Sequence, residues 1–147
     1  PFQLLDLVGP GVALHVSETL HANLGERYRI SPTMAAMVKQ GVRNFYVKND
    51  DGSFGANPAA LALIHKGDSP STAEQVRSRA LTALAVEARM MLDEGVVSTP
   101  AEIDLCMLMG AGWPMHLGGI LPYLDREGIS EAACGQRFHA KGVASLP

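Results

Sequence analysis

Gly110-Ala111-Gly112-Trp113-Pro114-Met115-His116-Leu117-Gly118-Gly119-Ile120-Leu121-Pro122-Tyr123-Leu124-Asp125-Arg126-Glu127-Gly128 is the most informative stretch of this 147-residue chain. Its end, an apolar pair followed by Asp-x-x-Gly, is repeated near the start as Leu4-Leu5-Asp6-Leu7-Val8-Gly9. An internal repeat indicates two related structural units. Two predicted helices precede the second copy, whereas the chain begins only a few residues before the first. We therefore expect the first unit to be truncated on its N-terminal side, as in a piece of a longer protein.

The composition is that of a soluble globular protein with a hydrophobic core, since 47% of the residues are apolar and 18% are charged. The formal net charge is -3 and the twelve Lys and Arg residues are scattered. A nucleic-acid interface needs clustered basic residues and is therefore not expected. The first residues do not show the basic-then-apolar pattern of a signal peptide, and no run approaches the roughly 18 apolar residues that a membrane helix requires.

The two cysteines, Cys106 and Cys134, lie in separate segments without a second pair. This spacing suggests neither a zinc site nor a disulfide framework. We expect both thiols to be reduced and buried, which indicates a reducing compartment, the cytoplasm.

Helix start signals recur along the chain. Ser31-Pro32, Asn57-Pro58 and Thr99-Pro100 each place an N-cap acceptor before a proline at the first helical position. Capping boxes are predicted at Ser71-x-x-Glu74 and Thr99-x-x-Glu102. These signals predict five or more helices and an all-α fold.

Apolar periodicity sets the approximate helix bounds. It predicts helices over Val12 to Leu24, Pro32 to Lys39 and Thr72 to Glu94, the last ended by Gly95 in a left-handed conformation. In the longest helix the predicted core face carries Leu81, Leu84, Ala88 and Met91, and Arg89 belongs to the solvated side.

Two further segments have distinct patterns. Ala101 to Met109 has almost no polar face, so we expect its neighbours to enclose this helix on nearly all sides. Asn44 to Lys48 is the one stretch predicted to be extended, and Asp51-Gly52 after it is a turn signal.

The segment from Lys48 to Ser71 is rich in Gly, Asn, Asp, Ser and Pro, with a short apolar run at Ala59 to Ile64. Such a change in composition is typical of a connection between units that contains one short helix. We place the units at residues 1–66 and 67–147.

The histidines offer few candidates for chemistry. No two of the five have the close spacing of metal ligands. His15 and Glu18 are neighbours on a helix and are either an acid–base dyad or, more commonly, a surface pair. His116, in the Gly-rich stretch, is interpreted as a packing residue because no acid or nucleophile stands near it in sequence.

The remaining candidates have structural interpretations. Asp104 is placed where a helix dipole favours a carboxylate. A hydrogen bond at the helix end would explain the repeated Asp6 and Asp125, and Gly118-Gly119 would allow close approach of two helices. Neither G-x-G-x-x-G nor a P-loop motif is present. We assign no catalytic, cofactor-binding or metal-binding residue.

The motifs resemble a known family. Pro1-Phe2-Gln3-Leu4-Leu5-Asp6-Leu7-Val8-Gly9 is similar to the Met-Gly-Pro-Phe-x-Leu-Leu-Asp-x-Val-Gly segment in the C-terminal helical domain of 3-hydroxyacyl-CoA dehydrogenases. Glu102 to Leu105, Gly110 to Pro114 and Gly118 to Asp125 resemble the second repeat of the multifunctional fatty-acid oxidation enzymes, and Gly142 to Pro147 resembles the end of such chains. The resemblance implies two tandem helical units like the C-terminal domain of 6-phosphogluconate dehydrogenase.

In that family an upstream Rossmann domain holds NAD and the catalytic His–Glu pair, and an Asn of the active site precedes the Pro-Phe segment. None of these positions falls within this sequence. The resemblance therefore implies an oxidoreductase of β-oxidation whose acyl-CoA and NAD chemistry lies outside this chain, with a thiolase subunit as a possible partner.

Two segments depart from the family pattern. Lys39 to Tyr46 keeps only the Gly and the Phe-Tyr of the usual Gly-x-x-Thr-Gly-x-Gly-Phe-Tyr loop, and Pro114 to Gly119 lacks the Arg of Pro-Pro-Phe-Arg-Gly-Gly. We therefore carry over no substrate contact through either segment.

Two alternatives stay open from sequence. One is a stand-alone helical interaction or scaffold module, and the other is a small helical hydrolase that uses His15 and Glu18. Because the first unit is expected to lack its leading helices, we also expect Leu4, Leu5, Leu7, Val12 and Val16 to be partly uncovered and to promote a homo-oligomer.

Overall fold

The computed structural model describes residues 2–64 and 67–143. Of these residues 58% are helical, which is compatible with the predicted all-α fold, and the strand at Phe54–Ala56 was not predicted. The chain divides into two compact units, Pro1–Pro70 and Ser71–Pro147. The boundary inferred from sequence, between residues 66 and 67, lies four residues before the observed one. Residues 65–66 are outside the described part.

The first unit contains four helices and a hairpin. In chain order these are α1 (Phe2–Val8), α2 (Pro10–Leu24), α3 (Pro32–Lys39), β1 (Tyr46–Lys48), β2 (Phe54–Ala56) and α4 (Pro58–Leu61). Helix α2 packs against α1 and α3. The side chains of Ser31 and Asn57 accept backbone N–H bonds at the starts of α3 and α4, as predicted.

The hairpin is antiparallel and pairs Tyr46 with Ala56 and Lys48 with Phe54. Its turn includes Gly52 at φ 84°, a conformation that favours glycine. The side chain of Asp51 accepts bonds from the Ser53 N–H at 2.9 Å and from its hydroxyl at 2.6 Å. These bonds, the hydroxyl bond first, lower the pKa of Asp51.

The second unit contains α5 (Ala73–Asp93), α6 (Pro100–Met109), a 3₁₀ turn (Met115–Leu117), α7 (Ile120–Arg126) and α8 (Ile129–Cys134). Helix α5 packs on α6, α7 and α8, and α6 also packs on α7. The core is formed by eight buried residues: Leu81, Ala85, Ala88, Ile103, Ile120, Leu121, Leu124 and Phe138.

Both predicted capping boxes were wrong in detail. Helix α5 begins one residue later than expected, with the reciprocal bonds made by Thr72 and Gln75 instead of Ser71 and Glu74. At α6 the Thr99 side chain makes no capping bond, and Glu102 accepts the N–H of Ser98 at 2.9 Å.

Two burial predictions were also wrong. Helix α6 is not enclosed, because Ile103 and Asp104 face the core while Leu105 and Met109 are 62% and 75% exposed. On the same helix Cys106 is exposed, and Cys134 is only half-buried. Within the described residues α6 packs mainly on α5 and α7, and the part of α6 that carries Leu105, Cys106 and Met109 is left uncovered.

The buried face of α5 differs slightly from the predicted one. Ala85 is completely buried, whereas Leu84 is 38% exposed. The Arg89 side chain is mostly covered rather than solvated, because its guanidinium lies 4.6 Å from the centre of the Phe138 ring.

Candidate functional site

The two aspartates of the repeated motif hold their units together in the same way. In the first unit Asp6 Oδ1 accepts the N–H of Phe45 at 2.6 Å, and Oδ2 accepts that of Tyr46 at 2.9 Å. In the second unit Asp125 Oδ1 accepts the N–H of Phe138 at 3.0 Å, and Oδ2 accepts that of His139 at 2.9 Å. We call this arrangement the carboxylate clamp.

The match extends beyond the clamp itself. Each aspartate lies near the end of a helix, α1 or α7, and a glycine three residues later has positive φ, 86° at Gly9 and 70° at Gly128. Each glycine is the N-cap of the next helix, α2 or α8. An L-residue with a side chain would be strained at this corner. The repeat covers the aspartate, the positive-φ glycine and the paired bonds, but not the full geometry: ψ is 138° at Gly9 and 6° at Gly128.

The clamp corrects the interpretation of Asp6 and Asp125 as acceptors for a local bond at the helix end. Their partners are 39 and 40 residues away in the first unit, and 13 and 14 residues away in the second. Sequence reasoning missed the donors. An aromatic residue, Phe45 or Phe138, stands at the first donor position in each unit. The donors themselves are backbone N–H groups, which leave no pattern in the sequence.

Asp104 also has a different role from the one expected. It is buried, and its Oδ1 accepts the N–H of Leu121 at 2.8 Å while Oδ2 lies 2.9 Å from Nε2 of His139. The Nε2–H tautomer of His139 donates to this oxygen. Asp104 thus accepts a backbone N–H at the start of α7 that would otherwise have no partner. The N-cap residue of α7, Gly119, has no side chain that could accept it.

Gly119 is required by this arrangement. A Cβ built at Gly119 would lie 2.4 Å from Cγ of Asp104. The prediction that Gly118-Gly119 allows close approach of two helices is confirmed at Gly119.

A polar cluster on the surface of the second unit links α5 to α7. Arg77 donates to the hydroxyl of Tyr123 and to Oε2 of Glu127, the latter at 3.3 Å. The bonds to Glu127 and then to Tyr123 raise the pKa of Arg77 above its already high ordinary value. The ring of Tyr123 also meets the Trp113 ring edge-on, with centroids 5.4 Å apart.

The other candidates from sequence are not brought into a site. His15 and Glu18 are both exposed on α2, and no hydrogen bond joins them among the residues that the structure describes. His116 is exposed on the 3₁₀ turn, so its interpretation as a packing residue was wrong. Within residues 2–64 and 67–143 no group of three His, Cys, Asp or Glu side chains is placed to hold a metal ion.

Apolar cavities lie on both units. One of about 130 Å³ in the second unit is lined by α5, α6 and α7, with Met91, Met107 and Leu121 among its walls. It is smaller than the roughly 300 Å³ at which ligand pockets begin. A wider groove of about 410 Å³ in the first unit lies between Gly9–Val12 and a second wall formed by Val38 and 41–43.

The first unit also has a large uncovered apolar surface. Leu4, Leu7 and Val8 on α1 are 63%, 81% and 45% exposed, and Val12 and Val16 on α2 are 60% and 50% exposed. We call these five residues the α1–α2 face. Four of the five positions expected from sequence to be uncovered are indeed exposed, and Leu5 is half-buried.

A comparison with models of known protein families gave no match to the chain. No helix of the described part is long and apolar enough to cross a bilayer.

Proposed function

We propose that this chain is the C-terminal helical region of an NAD-dependent 3-hydroxyacyl-CoA dehydrogenase of fatty-acid β-oxidation. The reaction of such an enzyme is oxidation of a 3-hydroxyacyl-CoA to the 3-ketoacyl-CoA, with NAD held by a separate Rossmann domain. In this proposal the present chain supplies no catalytic group. It contributes packing surfaces and part of the wall of the acyl cleft.

The observation that best supports the proposal is the doubled Asp-x-x-Gly corner with its carboxylate clamp. A motif that resembles the family's helical domain occurs twice, and both copies make the same pair of long-range bonds. Paired bonds from one repeated motif support two related helical units, although the donors lie at different distances along the chain in the two units. The cavity of about 130 Å³ is too small for an acyl-CoA, so the proposed role is that of a wall, not of a complete binding site.

The proposal also includes localisation in the cytoplasm and self-association of the isolated chain. Self-association follows from the α1–α2 face, because exposed apolar patches of this kind promote contact between molecules. Sedimentation at tens of micromolar, a range typical of such contacts, should show a dimer or larger species.

The proposal can be tested on the protein in its source cells. An antibody raised against this chain should capture a polypeptide larger than 15.6 kDa that reduces acetoacetyl-CoA with NADH. A captured species of 15.6 kDa without this activity would contradict the proposal and favour a stand-alone helical interaction module, the alternative that the exposed α1–α2 face supports.

A second test uses the isolated chain. Calorimetry should detect no saturable binding of NAD, and the chain should not oxidise 3-hydroxybutyryl-CoA. Micromolar NAD binding would place the dinucleotide site within these residues and overturn the proposal.

A further inference from the structure

The hairpin turn of the first unit contains the one Asp-Gly pair of the sequence, Asp51-Gly52, and the sequence has no Asn-Gly pair. An aspartate isomerises most readily when glycine follows it, because glycine has no side chain to shield its peptide nitrogen from the carboxyl group before it. Both residues are exposed, so the core does not cover this peptide bond. Any protection of the pair therefore comes from the turn itself.

The isomerisation proceeds through a five-membered succinimide ring. The peptide nitrogen of Gly52 gives up its proton and attacks Cγ of the neutral Asp51 carboxyl group. The N–Cγ bond forms, a Cγ–O bond breaks, and one water leaves. A second water then adds to the main-chain carbonyl carbon of Asp51 and breaks its bond to the Gly52 nitrogen. The chain afterwards runs through Cγ, as isoaspartate.

Hydrogen bonds in the turn hold both reacting groups in unreactive states. The Gly52 N–H donates to the carbonyl oxygen of Asn49 at 3.0 Å, so this bond must break before the nitrogen can lose its proton. Oδ1 of Asp51 accepts the Ser53 N–H at 2.9 Å and the Ser53 hydroxyl at 2.6 Å. Donors of this kind favour the ionised carboxylate. The ionised form is a poor electrophile, because its negative charge repels the nucleophile.

The Ser53 hydroxyl joins the two sides of the turn. It donates to Asp51 and accepts the side-chain N–H of Asn49 at 2.9 Å. The backbone closes the same loop, since the Asn49 N–H donates to the carbonyl oxygen of Ser53 at 2.8 Å. A hydroxyl that accepts one bond and donates another is polarised, which strengthens both. Without this hydroxyl the carboxylate would be freer both to rotate and to bind a proton.

From this geometry we propose that Asp51-Gly52 is the latent isoaspartate site of this chain and that the Ser53 hydroxyl suppresses the reaction in the folded first unit. The lowered pKa of Asp51, caused first by the hydroxyl bond, agrees with this role, since less of the carboxyl group is neutral at a given pH. The proposal concerns the turn alone and does not depend on the dehydrogenase assignment.

The position of the turn explains why this protection matters to the fold. Isoaspartate adds a carbon to the backbone next to the pairing of Lys48 with Phe54. At the other end of the same short hairpin, the Tyr46 N–H belongs to the carboxylate clamp of Asp6. Isomerisation would therefore disturb a hairpin that the first unit uses to engage its clamp.

The experiment follows isoaspartate formation in the full chain at about pH 5, where part of an ordinary aspartate is neutral. Liquid chromatography separates the two forms of the tryptic peptide 49–66, and mass spectrometry detects the succinimide by its loss of water. In the folded chain we expect residue 51 to react about tenfold more slowly than in concentrated urea, because the bonds to Asp51 are lost there. Asp68, an exposed aspartate followed by serine, is the internal reference and should change less.

Variants of the chain test the role of the hydroxyl. Ser53→Ala removes it, keeps the backbone donor, and should speed the reaction in the folded chain about fivefold, the effect of one hydrogen bond. Ser53→Thr keeps a hydroxyl and should react as slowly as the unchanged chain. The matched control Ser69→Ala removes a hydroxyl from an exposed residue beside Asp68 and should leave residue 51 unaffected. Circular dichroism checks that each variant is folded.

Three results would each overturn the proposal. The first needs no variant: equal rates at residue 51 in the folded chain and in urea. The second is a folded Ser53→Ala chain that reacts no faster than the unchanged one. The third is an acceleration by Ser53→Ala that is as large in urea as in the folded chain, because the effect would then come from the local sequence and not from the folded turn.

Discussion

Replacing Asp125 by asparagine should unfold the second unit at a much lower denaturant concentration. The Asp125 side chain is completely buried, and its two oxygens accept the N–H groups of Phe138 and His139. In the asparagine variant one oxygen is replaced by an NH₂ group that cannot accept. One buried N–H then loses its partner, and the other binds a neutral acceptor instead of a charged one.

The magnitude follows from these two changes. An unsatisfied buried N–H costs about 1–3 kcal/mol, and a bond to a charged acceptor is worth roughly twice a neutral one. We therefore expect a loss of about 3 kcal/mol in the free energy of unfolding of the second unit. With a urea slope of about 2 kcal/mol per molar, the midpoint falls by about 1.5 M.

The assay is Trp fluorescence during urea unfolding. Trp113 is the single tryptophan and lies in the second unit, so its signal reports that unit. The matched control is Asp93→Asn, which also removes one negative charge. Asp93 is 64% exposed and lies 3.9 Å from Arg89, so the control should shift stability by less than about 0.5 kcal/mol. If Asp125→Asn behaves like this control, the clamp does not stabilise the unit.

The other predictions test the first unit, the helix approach and the turn. Asp6→Asn should destabilise the first unit and leave the Trp113 transition unchanged, as measured by circular dichroism and fluorescence on one sample; equal shifts in both signals would argue against separate clamps. Gly119→Ala should destabilise by about 2–4 kcal/mol, because its Cβ meets Asp104 and α6 must move. The control Gly11→Ala adds a methyl in open space within α2 and should be neutral or stabilise by up to about 1 kcal/mol in thermal unfolding. Ser53→Ala should raise the pKa of Asp51 toward its ordinary value, which an NMR titration would show. Because the folded-state pKa is lowered, this contribution to stability is present above about pH 3.9 and is lost as pH falls through the folded-state pKa.

Local signals predicted the helices well because their physical causes are local. The start of α3 at Pro32 and the end of α5 before Gly95 follow from a cap, a proline and a glycine that are adjacent in sequence. The capping box at α5 shifted by one residue, since Ser71 and Thr72 are both good N-caps and Glu74 and Gln75 are both good partners. Only the exact backbone geometry selects between the two pairs.

The partners of the long-range hydrogen bonds could not be predicted from the sequence. The repeat pointed to Asp6 and Asp125, but their partners are backbone N–H groups, which every residue except proline has. Asp104 was explained by its own helix, whereas its two hydrogen bonds reach α7 and His139. In both cases the side chain satisfies a backbone group or imidazole that the fold brings to it, and a pattern within one helix contains no information about that partner.

Burial was mispredicted on α6, where the side that does not face α5 and α7 is uncovered. Helix α6 has the composition of an enclosed helix, yet Leu105 and Met109 are exposed. The α1–α2 face is a different case, because the exposure of Leu4, Leu7, Val12 and Val16 was expected from sequence and is observed. A group of exposed apolar residues on a compact unit indicates a contact surface that the unit alone does not cover.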